Sequence, residues 1–173
     1  MQREKWFARS FDFTVPPSLF PNIVERLRGT PARLEDRTRV LAVEVLTRRD
    51  GEHWSIQENV GHLLDLEPLW LRRAEQFFAG EAEMVPADLT NRQTHEANHN
   101  ARRLTDLLEQ FRGARGQLVH LLARADEATI VRTARHPRLG TPLRLIDLAL
   151  FVAEHDDHHL ATITQILERA GAE

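Results

Sequence analysis

Cysteine is absent from the chain. No disulfide can staple the fold, no thiolate can serve as its nucleophile, and no sulfur can hold a metal. Any metal site must therefore be built from His, Asp and Glu. Long apolar runs are missing too. The longest, Leu148 to Ala153, falls far short of the roughly 20 residues that cross a bilayer. The N-terminal MQREKWFARSFDF is charged and lacks the apolar stretch of a signal peptide, so a cytoplasmic location is expected. Nor is there an excess of positive charge: a net charge of −3 gives no footprint for nucleic acid. Of the 23 basic residues only Lys5 is lysine, which points to a compositional bias and carries no functional weight.

What is present describes one globular domain over residues 1–173, with 42% hydrophobic and 28% charged residues and enough chain for a continuous core. Residues 1–18 form an irregular lead-in ending at Pro16-Pro17. A short apolar-periodic piece, Leu19 to Leu27, is expected to stop at Gly29. Thr30-Pro31 then reads as a cap followed by proline at the first helical position, opening a helix to about Leu46. After a turn around Asp50-Gly51, Ser55 and Glu58 make a capping box for a helix from Ile56 to Ala79, closed by Gly80 and expected to kink at Pro68. A long polar connection, 81–100, precedes a helix from Leu104 to about Arg124. A second connection, 126–140, leads to Thr141-Pro142, read as the start of a last helix running to about Arg169. Four long helices and no strand pattern predict an all-α bundle.

The chemistry concentrates in the last helix. His155 and His159 are four residues apart, so a helix stacks them on one face, and Leu148, Val152, Ile163 and Ile166 mark that face as buried. Buried imidazoles need a polar partner, since an unsatisfied ring nitrogen costs about 1–3 kcal/mol. His62, beside the apolar arc of the preceding capped helix, can reach between helices. Three neutral imidazoles plus water make an open site of the catalytic kind. Such a donor set suits zinc or nickel, with iron or copper as alternatives. Glu58, one turn before His62, is the candidate acid or base if it leans over the site.

Other residues compete for attention. His158 lies at the flank of the stripe and is expected outside the ligand set. Asp156 and Asp157 either orient imidazoles or, as the plainer reading has it, solvate the helix surface. His95-Glu96-Ala97-Asn98-His99 matches the H-E-x-x-H pattern of zinc proteases, which requires both histidines on one apolar-backed helix. Its polar flanks argue against that use and leave these histidines a place at the mouth of the first site.

Taken together, Trp54-Ser55-Ile56, Glu58, Gly61-His62-Leu63 and the run Glu154 to Leu160 resemble the DinB/YfiT-like superfamily, as do Asn91 and His136-Pro137-Arg138-Leu139-Gly140. The resemblance runs from about Phe20 to Leu167. It implies a four-helix bundle of up-down-down-up arrangement, commonly a homodimer, with a divalent metal on three histidines. Carried over, these are His62, His155 and His159, the trio already reached from spacing. Members of the family include S-transferases and isomerases that use low-molecular-weight thiols such as bacillithiol or mycothiol, and metal-dependent hydrolases. The resemblance thus implies a metal-dependent transferase or hydrolase acting on a small molecule. With no cysteine of its own, the chain would take any thiol from solution. Arg135 and Arg138, near the His-Pro turn, could bind an anionic cosubstrate, although solvation is the plainer role for either one. The alternative readings are a non-catalytic bundle whose metal is structural, a stress or metal sensor, and a vestigial site without metal.

Overall fold

Ser55 starts the central helix as its side chain dictates: Oγ accepts the Glu58 amide at 3.1 Å, and Glu58 Oε2 accepts the Ser55 amide at 2.9 Å. In the computed structural model, which describes residues 4–171, this helix (α3) spans Ile56–Ala79. It ends at Gly80 in the left-handed region, φ 73°. The other long helices are α1 (Phe20–Thr38), α5 (Leu104–Leu122) and α7 (Leu145–Ala170). Single-turn helices α2 (Val43–Thr47), α4 (Arg92–Glu96) and α6 (Glu127–Val131) lie in the connections. Residues 1–3 of the lead-in and 172–173 lie outside the described residues. No helix of the described residues is long and apolar enough to cross a membrane.

Cross-helix contacts give the directions. Gln57 bonds Arg102 and Glu67 bonds Arg115, so α3 and α5 run parallel. Arg26 bonds Glu154 and Arg33 bonds Asp157, so α1 and α7 run parallel as well. Asn59 meets His159 while Trp70 meets Phe151, which makes α3 and α7 antiparallel. The result is a four-helix bundle of up-down-down-up order. The parallel pair α3 and α5 requires the long 80–103 crossover.

Three expected boundaries are corrected. The helix break at Gly29 does not occur: α1 continues through Thr30 and Pro31 and ends at Thr38, so Leu41–Leu46 fall outside it. Proline at 31 removes the amide that would bond the Leu27 carbonyl, and Arg115 Nη1 of α5 donates to that carbonyl instead, at 3.3 Å. Thr30 Oγ1 bonds Asp156 Oδ2 at 2.7 Å rather than capping a helix. Likewise Thr141-Pro142 does not open α7. Strands β1 (Thr133–Arg135) and β2 (Pro142–Arg144) pair antiparallel, with Ala134 opposite Leu143 and both buried. The two-stranded ribbon, unforeseen in the sequence, delays the helix to Leu145. There Asp147 bonds the Arg144 amide at 2.9 Å.

The apolar core divides in two. One cluster gathers Leu27, Trp70, Phe77, Leu118 and Phe151; the other gathers Leu34, Val60, Leu63, Phe111 and Ile163. Between them lies a polar stratum. Arg115, at 1% exposure, is buried against Glu67 and Asp156, with Nη2–Glu67 Oε1 at 2.6 Å and Nη2–Asp156 Oδ1 at 3.0 Å. Both carboxylates hold the guanidinium firmly protonated against burial, while burial itself raises the Glu67 carboxyl. Asp156 is therefore bound to Arg115 and Thr30 in the interior and does not solvate the surface. Asp157 faces Arg26 and Arg33 at the bundle's edge.

Candidate metal centre

At the same level of the bundle, α3 and α7 bring three imidazoles together. His62 is 3% exposed, His155 4% and His159 7%. Ring centroids lie 4.8 Å apart for His62 and His159, 4.6 Å for His155 and His159, and 5.4 Å for His62 and His155. One ring nitrogen from each falls within 4.8 Å of the other two. The helical spacing of the α7 pair and the antiparallel approach of α3 account for the convergence.

Neighbouring groups fix the Nδ1 protons of two of the rings. His159 Nδ1 stands 2.8 Å from Asn59 Oδ1, an atom that can only accept, so Nδ1 carries a proton and Nε2 is the nitrogen turned towards a ligand role. The Asn59 amide is oriented in turn by donating to the Ser55 carbonyl at 2.8 Å. His62 Nδ1 meets Thr94 Oγ1 at 2.9 Å, and that hydroxyl already donates to Asp65 Oδ2 at 2.9 Å. The Thr94 oxygen therefore accepts from His62, leaving the His62 Nε2 lone pair for a ligand. Outer partners of this kind orient metal-binding imidazoles and raise their basicity. His155 Nδ1 is buried with no hydrogen-bond partner among the described residues. Burial lowers the His62 pKa to about 4 and pushes His155 well below the ordinary range, so both are neutral at pH 7, as ligands must be. The donor set fits a divalent transition ion: three converging imidazoles, two of them donating through Nδ1 and one with an orphaned ring nitrogen.

Trp54 packs 4.6 Å from the His62 ring, and Trp6 packs edge-on 4.9 Å from His155. The trio opens into a cavity of about 1080 Å³, walled also by His95, Asn91, Arg73 and Arg138. His158 lines that cavity beside His159 and Trp6. Glu58 does not join the cluster. Both its oxygens are engaged, by the Ser55 amide and by Arg49, whose Nε lies 2.8 Å from Oε2. Burial pulls this carboxyl upward, but the Arg49 and Ser55 bonds outweigh it and hold its pKa below the usual range.

The protease-like motif comes apart. Asn98 takes a left-handed conformation, φ 47°, between α4 and the 3-10 turn His99–Ala101, so His95 and His99 do not share a helix. His95 is exposed at the cavity mouth. His99 is buried, bonded to Asp65 Oδ2 at 2.8 Å. It lies flat against Gly61, where a Cβ would stand 2.2 Å from its Cγ. Thr94 and Asp65 had no signal in the sequence, because only the folded crossover brings 94 to 62. Asn59 had a weak one, three residues before His62 on a capped helix.

The DinB superfamily model matches residues 26–163. The fold is similar to that of YfiT from Bacillus subtilis, described as a probable metal-dependent hydrolase with an unusual four-helix bundle topology. The TM-score is 0.81 at 22% identity, over 95% of each chain. A mycothiol-dependent maleylpyruvate isomerase is also similar, with a TM-score of 0.67 at 10% identity over 88% of this chain and 62% of that one. This chain thus spans less than two thirds of the isomerase. No curated protein matches the sequence.

Proposed function

The chain belongs to the DinB superfamily, and from that premise we propose that it is a metal-dependent enzyme acting on a small molecule, with His62, His155 and His159 as the ligands. The observation that carries this reading is the convergence of three buried imidazoles, two of them oriented by hydrogen bonds at Nδ1, at the wall of a large open cavity. A divalent ion held there, zinc or nickel ahead of iron, would supply Lewis acidity and make a water or an external thiol nucleophilic near neutral pH. The chain's own residues do the rest. Asn59 and Thr94 hold the imidazole protons on Nδ1, Asp65 anchors Thr94, and Trp6 and Trp54 pack against the His155 and His62 rings and restrict their rotation. Glu58 acts through position, by fixing the first turn of α3 from which Asn59 and His62 project.

The name of YfiT favours hydrolysis with water, and that of the isomerase favours a low-molecular-weight thiol as cosubstrate. Either nucleophile suits a cavity that opens onto the same three nitrogens. A homodimer, on the family resemblance alone, and a cytoplasmic location, on the charged N-terminal stretch, complete the reading, and analytical ultracentrifugation tests the dimer.

Elemental analysis of the purified, untagged protein beside the His155→Ala/His159→Ala variant tests the centre. The expected result is about one equivalent of a transition metal, lost in the variant. Protein that stays metal-free after incubation with zinc and nickel overturns the enzyme reading. Assays with ester and amide panels, with and without bacillithiol or mycothiol, then separate hydrolase from transferase.

A further inference from the structure

A second cluster in the same cavity has more hydrogen-bond donors than acceptors. Arg73 of α3 is 2% exposed, yet among the described residues it bonds only through Nε to the Val85 carbonyl at 3.0 Å and through Nη1 against His136 Nε2 at 3.0 Å. Arg138, in the turn after β1, has a buried Nη2 with no hydrogen-bond partner among the described residues. Among the described residues neither guanidinium has a carboxylate within ion-pair distance, although the chain's other buried arginine, Arg115, has two. His136 sharpens the imbalance. Its Nδ1 faces the Leu139 amide at 3.2 Å while its Nε2 faces Arg73. A neutral imidazole has one lone pair, so in either tautomer one N–H is left pointing at another N–H. Buried, unpaired cations and mutually facing donors are expensive unless an acceptor completes them.

We propose that Arg73, Arg138 and His136 form an oxyanion-binding subsite for the carboxylate or phosphate group of the small molecule that occupies this cavity. Guanidinium forks match both groups, and the acceptor oxygens would satisfy the donors that now oppose one another. The surroundings suit an organic anion with an apolar body. The Arg73 guanidinium lies 5.5 Å from the Trp70 ring, and that of Arg138 lies 5.4 Å from Phe7 and 5.9 Å from Phe151. Trp70 is also 5.8 Å from the His155 ring, so one aromatic side chain separates the anion subsite from the three histidines. The subsite would hold the charged end of a substrate and present the remainder to the metal centre. Arg135, the other arginine near the His-Pro turn, takes no part: it is exposed on β1, where its backbone pairs with residues 82–84.

As a substrate clamp the subsite rests on the metalloenzyme reading; as an anion site it does not, and its test uses the full chain stripped of metal. Benzoate, phenyl phosphate and neutral benzamide are titrated at low salt by calorimetry, with Trp fluorescence in parallel. At least one oxyanion is expected to bind at about 1 mM or tighter and about tenfold more tightly than benzamide, weakening as salt is added. Whichever of the two binds more tightly identifies the group. Arg138→Gln, at a half-buried position in a turn, should weaken that binding about tenfold without lowering the Tm. Arg73→Gln is the second variant. Equal binding of all three probes, or oxyanion binding that survives Arg138→Gln undiminished, overturns the proposal. Absence of metal in the elemental test leaves this result standing.

Discussion

Asn59 of α3 receives the Nδ1 proton of His159 from α7 at 2.8 Å, across the helix pair that forms the metal centre. The amide also donates back to the Ser55 carbonyl, so the residue that orients a ligand is itself held by the start of its helix. Asn59→Ala should lower metal affinity about 10–100-fold while leaving the helical signal intact. Competition against a chromophoric chelator measures this. Unchanged affinity would show that the contact does not tune the ligand.

Arg115 neutralises two buried carboxylates at once and also bonds the carbonyl that Pro31 leaves open. Arg115→Met should destabilise the chain by about 3–5 kcal/mol, because Glu67 and Asp156 are then buried without a counter-charge. Chemical denaturation reads the loss. Replacing all three residues with apolar side chains of similar volume should recover most of it.

Gly61 is required by contact and not by backbone angle. A methyl group there would overlap the His99 ring, which Asp65 holds from its far side. Gly61→Ala should cost about 1–3 kcal/mol as the ring is displaced. A His99→Ala/Gly61→Ala double variant that is no less stable than His99→Ala would confirm the steric cause.

The metal-free protein should lose stability as pH falls from 6.5 towards 4. His62 and His136 have their pKa lowered by burial from 6.5 to about 4, and His155 moves the same way. Within that window the unfolded chain binds protons that the folded chain refuses, so stability rises with pH, is complete above the unfolded value and is lost on acidification. Glu67, raised by burial, works in the opposite sense. Thermal unfolding across the window should show a falling Tm, and His136→Gln should shallow the slope. A flat profile would mean that these rings are hydrated in the folded state.

Much of this architecture was legible in residue order. Ser55 and Glu58 announced α3, and Gly80 its end, because caps are local chemistry. The spacing of His155 and His159 placed two imidazoles on one face, and the bundle followed from four apolar periodicities. The sequence misled where a distant residue supplied what the local chain lacked. Pro31 should end a helix unless something reaches the Leu27 carbonyl, and Arg115 comes from another helix to do so. Thr141-Pro142 has the look of a helix start, yet Pro142 is taken into a ribbon by residues 133–135. His95 and His99 are spaced for one helix, but the left-handed Asn98 divides them. Thr94 and Asp65 belong to the site only through the crossover, which no local pattern encodes.

The polar stratum between the two apolar clusters has a mechanical consequence. Helices in a bundle can slide past one another by a turn with modest loss of oily contact, because one leucine replaces another. Here a one-turn slip of α7 would carry Asp156 away from Arg115 and His159 away from Asn59, stranding a charge and two dipoles in a dry interior. Sliding is thus penalised at the very level where three imidazoles must meet, and the alignment of the scaffold and the aim of its ligands depend on the same layer of side chains.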